Sequence, residues 1–288
     1  MHTVGAFFAR TTSLYGGGHA RTAFTCYLAH DATAWLSAPA TDSVHRQLLT
    51  GIAQLAILLG NMCADDFQDA LAQHYHRTAA HLAADAHDPA TYALALRAMA
   101  THAHELGHYQ QALTIARQAA CTARHHAPAL TRAYIQSQLA VAEARTHHTR
   151  PALTALKTAE HLYSQADPTT SGPFTHYTPA DLHFQQARIH AALNNHTGTL
   201  AALTTSLRTR PSTSRRAYAL TLAYLAETHL RRGHLESALA AWEHFLNNYP
   251  ALHSARATRR LNIMRQLLRP HTTHPAADAL LHRAIQLH

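Results

Sequence analysis

The sequence predicts an all-α protein built as a continuous array of antiparallel helix pairs. Alanine and leucine, which favour helix, dominate the 288 residues, and there are only 10 glycines and 11 prolines. Few stretches show the alternation of β-branched residues that indicates strands. A helix, a polar or glycine turn and a second helix that begins with a small residue recur along the chain, as in repeat proteins.

Residues 1–42 precede the array and are predicted to pack on it. An apolar helix is expected before a glycine hinge at Gly16–Gly18, and the following stretch "HARTAFTCYLAHDATAWL" has helical periodicity. Ser43 is predicted to cap a long helix that runs through Leu59, because a serine hydroxyl accepts from the free N–H groups of a first turn.

Residues 43–250 contain the repeated unit, beginning with a degenerate pair at 43–84. In the four later segments the turns align on one set of residues, which are Gly107, His147, Asn195 and Gly233. A small or apolar residue follows each turn five positions later, at Ala112, Ala152, Leu200 and Ala238. Residues 251–288 are predicted to form helices that cap the array.

This unit resembles the tetratricopeptide repeat, in which small residues let the two helices of a pair pack closely. The spacing between aligned turns exceeds the usual ~34 residues. The extra length lies in linkers at 164–180 and 208–216. The sequence therefore predicts a tetratricopeptide-like α-solenoid of antiparallel helix pairs.

The stretch from His104 to His108, "HELGH", spells the signature of zinc peptidases. That chemistry requires both histidines on one face of an unbroken helix, with the glutamate beside the zinc-bound water. The repeat alignment instead ends a helix near His104 and leaves His108 in the turn. No third ligand follows at the usual spacing. With 28 histidines in the chain, a pattern that sets three positions arises readily, so we predict no metal site and no cofactor.

Cysteine usage and hydropathy predict a cytoplasmic chain. Cys26, Cys63 and Cys121 are an odd, scattered set without a CxxC spacing, as expected of reduced thiols. The N-terminus lacks the pattern of a secretory signal, and the apolar run at Ile52–Leu59 is too short to span a bilayer.

The net charge of +8 is concentrated in the last third of the chain. Residues 206–288 contain 12 arginines and 4 acidic residues, whereas residues 1–205 contain equal numbers of basic and acidic residues. We predict a solvated basic surface there, open to an acidic partner. Its predicted members are Arg208, Arg210, Arg215, Arg216, Arg231, Arg232, Arg256, Arg259 and Arg260.

Three stretches carry a closer resemblance. They are "FARTTSLYGGGHARTAFTCYL", "LLTGIAQLAILLGNMCADDFQDALAQHYHRTAAHLA" and "ALRAMATHAHELGHYQQALTIARQA". In this order they resemble the tetratricopeptide region of actinobacterial XRE-type transcriptional regulators. In that family a helix-turn-helix domain precedes the glycines, whereas here only about fifteen residues do, fewer than a helical domain needs. The resemblance therefore implies a stand-alone sensor or adaptor without direct DNA binding.

The concave face of such an array is the predicted binding site for a peptide, a small metabolite or a partner protein. Guanidinium, aromatic and amide groups along one groove suit an anionic or peptide ligand. The predicted groove residues are Arg97, Thr101, His104, Tyr134, Gln138, Arg145, Gln185, Arg188, Tyr224 and Glu227.

Two other functions remain open from the sequence alone. An enzyme on a repeat scaffold, in a specialised-metabolite pathway, would use His104 with Glu105, or Glu227 with His229, as acid and base. A purely structural hub would bind partner proteins, or a second copy of the chain, without a small ligand. We expect no membrane partner.

Overall fold

The computed structural model describes residues 1–167 and 176–287, and its regular secondary structure within these ranges is entirely helical. The predicted linker at 164–180 lies partly outside the described residues. The helices are α1 His2–Tyr15, α2 Arg21–Tyr27, α3 Thr33–Leu36, α4 Asp42–Asp65, α5 Asp69–Asp85, α6 Pro89–Glu105, α7 Tyr109–Ala123, α8 Ala129–Arg145, α9 Thr149–Ser164, α10 Pro179–Ala192, α11 His196–Thr209, α12 Arg215–Arg231, α13 Leu235–Asn248, α14 Ala255–Leu268 and α15 Pro275–Gln286.

Helices α4 to α13 form five consecutive antiparallel pairs, and within each pair the two helices pack more extensively than with any other helix. Successive pairs also contact one another, as α5 does α6 and α7 does α8. Helices α14 and α15 pack on α12 and α13. This arrangement confirms the predicted α-solenoid of helix pairs.

The same backbone turn joins the two helices of every pair. One residue adopts a positive φ at each turn, namely Phe67, Gly107, His147, Asn194 and Gly233. Its N–H and the next N–H donate back to two carbonyl groups of the last helical turn, as in Gly107 to His104 and His108 to Ala103. This pattern is the Schellman motif, which satisfies carbonyl groups that would otherwise lack partners at the helix end.

The turn also sets which residue packs between the paired helices. The residues five positions after the positive-φ residue are Ala72, Ala112, Ala152, Thr199 and Ala238, and all are buried. In the fourth pair the predicted register was wrong by one residue, since Asn194 and Thr199 occupy the positions predicted for Asn195 and Leu200. Asn195 instead caps α11, accepting from the Gly198 N–H at 2.9 Å.

Helix α4 is the core of the first half of the array. Its N-terminus is capped by Thr41, whose hydroxyl accepts from the Val44 N–H, rather than by Ser43 as predicted. α4 is the one described helix long and apolar enough to cross a membrane, but 61% of its most apolar 18-residue stretch is buried in the protein. Since α1, α2, α5 and α6 pack on it, a buried core helix accounts for its composition.

The array closes on itself, so that its first and last parts are in contact. Helix α1 packs against α12. The Gly18 N–H donates to the His253 carbonyl at 2.9 Å, and the His253 N–H donates to the Tyr15 carbonyl. A Cβ atom on Gly17 would lie 2.4 Å from the Met62 carbonyl oxygen. The three glycines of this segment are therefore tightly packed.

Asp65, the last residue of α4, lies at the centre of this closure and is 1% exposed. Its carboxylate accepts hydrogen bonds from the Gly17 N–H at 2.8 Å, from Arg216 at 2.5 Å and from the Ser254 hydroxyl at 3.0 Å. Burial by itself would raise the pKa of Asp65, but Arg216, Arg256 and the Gly17 N–H outweigh it and lower the pKa. The carboxylate is therefore held in its charged form.

A second polar group, His76, is buried without a hydrogen-bond partner. It is 1% exposed, and its ring packs so closely on α4 that a Cβ on Gly60 would lie 2.3 Å from the ring. Neither ring nitrogen has a hydrogen-bond partner within residues 1–167 and 176–287. Burial, with smaller contributions from His102 and Arg256, lowers the pKa of His76 to about 3. The folded protein therefore contains this histidine in its neutral form.

We expect Asp65→Ala to destabilise the protein by about 3–5 kcal/mol, because it leaves the Arg216 guanidinium buried without its counter-charge. Asp66→Ala is the matched control, since Asp66 pairs with Arg21 and both side chains are 26% exposed. It should cost under ~1 kcal/mol. Urea unfolding at pH 7 measures both, and similar losses in the two variants would contradict the role assigned to Asp65.

We expect His76 to make the protein less stable in acid. Between pH ~6.5 and pH 3 the unfolded chain binds a proton at His76 that the folded chain does not, so stability falls as the pH is lowered through this window. At pH 5 the loss should reach about 2 kcal/mol relative to pH 7.5.

The variant His76→Phe keeps a ring and removes the titration, so its stability should fall about 2 kcal/mol less over the same pH change. His81→Phe, at an exposed position of the same helix, should behave like the unmodified protein. Urea unfolding at the two pH values provides the comparison, and equal acid sensitivity of all three proteins would refute the assignment.

Candidate functional site

The closed array surrounds a cavity of about 960 Å³. Its walls come from α4 to α8 on one side and from α10, α11, α12 and α14 on the other, so it needs both ends of the array. A small-molecule site typically occupies some 300–1,000 Å³, and this cavity lies within that range.

The cavity walls are rich in arginine. They carry three acidic residues, Asp69, Glu105 and Asp181. Against these stand eight arginines, which are Arg145, Arg188, Arg210, Arg216, Arg231, Arg256, Arg259 and Arg260. Two more carboxylates, Asp65 and Glu227, lie buried directly behind the walls and pair with wall arginines. The walls and the layer behind them therefore have three more guanidinium groups than carboxylates.

Four of these arginines form hydrogen-bonded ion pairs with carboxylates of the chain. Arg216 binds Asp65 and Arg256 binds Glu105, and each of these pairs joins residues 151 positions apart. Arg210 binds Asp181 at 2.8 Å. Arg260 donates two hydrogen bonds of 3.0 Å to Glu227, and its guanidinium lies 4.0 Å from the centre of the Tyr224 ring.

These pairs correct the prediction of a solvated basic surface for four of its nine predicted arginines, while the other five are exposed. The side chains of Arg210, Arg216, Arg256 and Arg260 are only 2–25% exposed and point into the ring. The sequence could not show this, because three of the four carboxylates that hold them lie before residue 206.

The predicted groove residues fall into two layers. Five line the cavity directly, and these are Thr101, His104, Arg145, Arg188 and Tyr224. The other five lie outside its lining, and these are Arg97, Tyr134, Gln138, Gln185 and Glu227. Two of this second set support residues that do line the cavity, since Glu227 binds Arg260 and Gln185 accepts from Arg188.

Arg97, Tyr134 and Gln138 belong to a packed cluster between α6 and α8. The Arg97 guanidinium lies 3.3 Å from the centre of the Tyr134 ring and donates to the Tyr134 carbonyl. Tyr177 packs on the same ring, and its hydroxyl donates to Ser137. Burial is the main reason that the pKa of Tyr177 is raised. Gln138 is fully buried, and its amide has no hydrogen-bond partner in the part of the chain that the structure describes. These three predicted groove residues therefore support the wall of the array.

His104 and His108 do not form a zinc-peptidase site. Helix α6 ends at Glu105, and His108 is the N-cap of α7 on the far side of the Gly107 turn. The two histidines therefore do not share the face of one helix. Over the described ranges, which omit 168–175 and 288, no group of three or more potential metal ligands is close enough to hold an ion.

His104 faces the cavity from the last turn of α6. Its ring packs on Tyr109 with centroids 5.3 Å apart. Burial, and then the nearby Arg188 and Arg145, lower the pKa of His104 to about 3. At neutral pH this side chain therefore adds a neutral aromatic ring to a cationic wall.

The structure does not bring together either of the two acid–base pairs suggested by the sequence. Glu105 binds Arg256, and Glu227 binds Arg260 with Arg231 3.5 Å away. His229 is two residues from Glu227 along α12, a spacing at which helical side chains do not face each other. Its ring packs on His234 instead. In each pair the carboxylate therefore neutralises an arginine rather than orienting a histidine.

Several cavity residues were missed or misplaced by sequence reasoning. Phe184 and Tyr109 contribute aromatic rings to the walls, and neither was selected. Arg210, Arg216, Arg256, Arg259 and Arg260 were recognised only as basic residues of the last third. The concentration of arginine in the last third of the chain was the sequence signal for these residues. Only the closure of the solenoid places their side chains in the cavity walls.

The fold has relatives among solved structures, although no protein-family model and no curated protein matches the sequence. The chain is similar to a Rap protein solved with competence and sporulation factor, at 13% identity and a TM-score of 0.58 over 90% of this chain and 71% of that one. BtubC from P. vanneervenii aligns at 12% identity and a TM-score of 0.53, over 79% and 89% of the two chains.

Human IFIT1, solved with PPP-AAAA, aligns at 13% identity and a TM-score of 0.53, over 94% of this chain and 64% of that one. At such low identity these likenesses bear on the fold alone. Together with the five repeated helix pairs, they define the class of this chain, which is a tetratricopeptide-like α-solenoid.

We expect His108→Ala to leave zinc binding unchanged, because the helix break separates the two histidines of the motif. His234→Ala is the matched control, since His234 is the N-cap at the equivalent turn of the fifth pair. Zinc content after dialysis, measured by inductively coupled plasma mass spectrometry, should be the same in both variants and the unmodified chain. Loss of a retained zinc ion in His108→Ala alone would restore the peptidase hypothesis.

Proposed function

We propose that this chain is a cytoplasmic ligand-binding repeat protein, acting as a sensor or adaptor whose ligand occupies the central cavity. One observation carries the proposal: five helix pairs close into a ring around a cavity whose arginines outnumber the available carboxylates. Concave surfaces of helical-repeat proteins are where such arrays take their ligands. A folded protein domain is too large for about 960 Å³, so the proposed occupant is a small metabolite or a short peptide segment.

A regulatory role is supported by resemblance and by analogy. The sequence resembles the tetratricopeptide region of actinobacterial transcriptional regulators, and the structurally similar Rap protein was solved with competence and sporulation factor bound. Ligand binding would act on the contacts that close the ring, because cavity-lining Arg216 and Arg256 also take part in them. A ligand that binds one arrangement of these contacts better than another shifts the population toward it.

Native mass spectrometry of the full chain, purified without chelator, tests the proposal. Any mass above that of the bare chain identifies a retained ligand, and incubation with the small-molecule fraction of a cell extract extends the search to weaker ligands. We expect saturable binding of a compound that is recovered unchanged. Turnover of the bound compound would favour the enzyme hypothesis, and a stable protein complex without small-molecule binding would favour a structural hub.

A cavity-blocking variant localises the binding. Ala191 is exposed and lines the cavity, so Ala191→Trp should fill part of it at little cost to the fold and abolish binding. Ala201→Trp is the matched control, since Ala201 is exposed on α11 outside the cavity lining. Equal binding by both variants would show that the ligand site is elsewhere.

A further inference from the structure

Three arginines of the cavity have no carboxylate partner among the described residues. Arg210, Arg216, Arg256 and Arg260 are neutralised by acids of the chain, and Arg231 shares Glu227 with Arg260. Arg145, Arg188 and Arg259 have no carboxylate oxygen within 4.0 Å in residues 1–167 and 176–287. These three guanidinium groups therefore carry positive charge that no carboxylate of the described residues contacts.

Arg188 is the most confined of the three. It projects from α10, and the hydrogen bond that its guanidinium makes is to a neutral acceptor, the Gln185 Oε1 at 3.1 Å. Burial is the main reason that the pKa of Arg188 is lowered, and Arg97 and Arg256 lower it further against the opposing effects of Tyr224 and Glu105. A guanidinium has five N–H donors and stays charged at neutral pH. Its confinement without a carboxylate in contact among the described residues is therefore a cost that a bound anion would reduce.

The neighbours of Arg188 combine charge with aromatic and apolar surface. Arg145 stacks on Tyr109, with its guanidinium 4.6 Å from the ring centre and a 3.0 Å hydrogen bond to the hydroxyl. Tyr224 packs edge-on against Phe184, with ring centroids 5.5 Å apart. These rings hold neighbouring groups in place and offer flat surface to the uncharged part of a ligand.

Three guanidinium groups without a carboxylate partner in one cavity favour a compact polyanion over a single carboxylate. One carboxylate carries one charge on two oxygens, which leaves two of the three guanidinium groups without a partner. A phosphoryl group presents three oxygens and nearly two charges at neutral pH, and planar guanidinium groups bind it in bidentate fashion. A diphosphate supplies more charge within a similar volume.

We propose that the cavity ligand is a small molecule with a phosphoryl or diphosphoryl group, bound by Arg188 with Arg145 and Arg259, while its uncharged part contacts Tyr224 and Phe184. This inference rests on the proposed function, because it specifies the ligand class of the same cavity. It adds that the anionic group, and not a neutral surface, provides most of the affinity.

Isothermal titration of the full chain with inorganic pyrophosphate at pH 7.5 and a single low salt concentration tests the inference. We expect saturable binding that Arg188→Gln weakens about tenfold or more, the change that follows from losing a hydrogen bond to a charged group. Arg232→Gln is the matched control, since it removes the same charge from an exposed residue outside the cavity lining. It should bind within about twofold of the unmodified chain.

A second variant and a second probe complete the test. Arg259→Gln changes an exposed cavity residue, so it preserves the fold and should also weaken pyrophosphate binding if Arg188→Gln fails to fold. Tricarballylate, which carries three carboxylates, distinguishes phosphoryl recognition from attraction by charge alone. Absent pyrophosphate binding, equal effects of Arg188→Gln and Arg232→Gln, or tighter binding of tricarballylate would each overturn the inference.

The experiments separate this inference from the proposed function. If Ala191→Trp abolishes binding of a neutral extract compound while pyrophosphate does not bind, the cavity is a ligand site and the phosphoryl assignment is wrong. If neither an extract compound nor pyrophosphate binds the unmodified chain, both proposals fail. Pyrophosphate binding that depends on Arg188 and is blocked by Ala191→Trp supports both.

Discussion

The buried carboxylate of Asp65 is the interaction on which the shape of this protein depends. It lies at the end of the long core helix and binds the glycine segment that precedes the array, the start of α12 and the segment before α14. A buried charge of this kind is stable only when fully compensated, and it is compensated only when both ends of the array are in place. The closed form and the charged Asp65 therefore stabilise each other.

Closure has a second consequence. It brings the arginine-rich last third of the chain opposite the first repeats, which contain carboxylates. The acidic residues of the first repeats meet arginines that lie about 150 positions later along the chain, as in Glu105 with Arg256. The pairing is incomplete, since the arginines exceed the carboxylates. What remains is a cationic cavity with aromatic groups in its walls, which is suited to a ligand of opposite charge.

Much of the local structure follows from short-range sequence signals. In four of the five pairs a glycine or a polar residue adopts the positive φ that ends the first helix, and in the first pair Phe67 does so. A small buried residue five positions later lets the second helix pack closely, so the pairs were predictable. The one-residue error at Asn194 and Asn195 arose because either asparagine suits such a turn. The break of "HELGH" at Gly107 followed from the same repeat alignment, because Gly107 occupies the turn between the two helices of a pair.

The site was only partly predictable, for a physical reason. Helical periodicity shows which residues share a face, and it led to Thr101, His104, Arg145, Arg188 and Tyr224 on the cavity walls. It could not assign Arg216 or Arg256 to the interior, because their direction depends on ion pairs with Asp65 and Glu105.

By itself, then, the sequence determined the helix pairs, their turns and the excess of arginine. Tertiary structure alone decided that the array closes and that the arginines face inward. Both outcomes depend on contacts between residues far apart in the chain, and local pattern carries no information about those contacts.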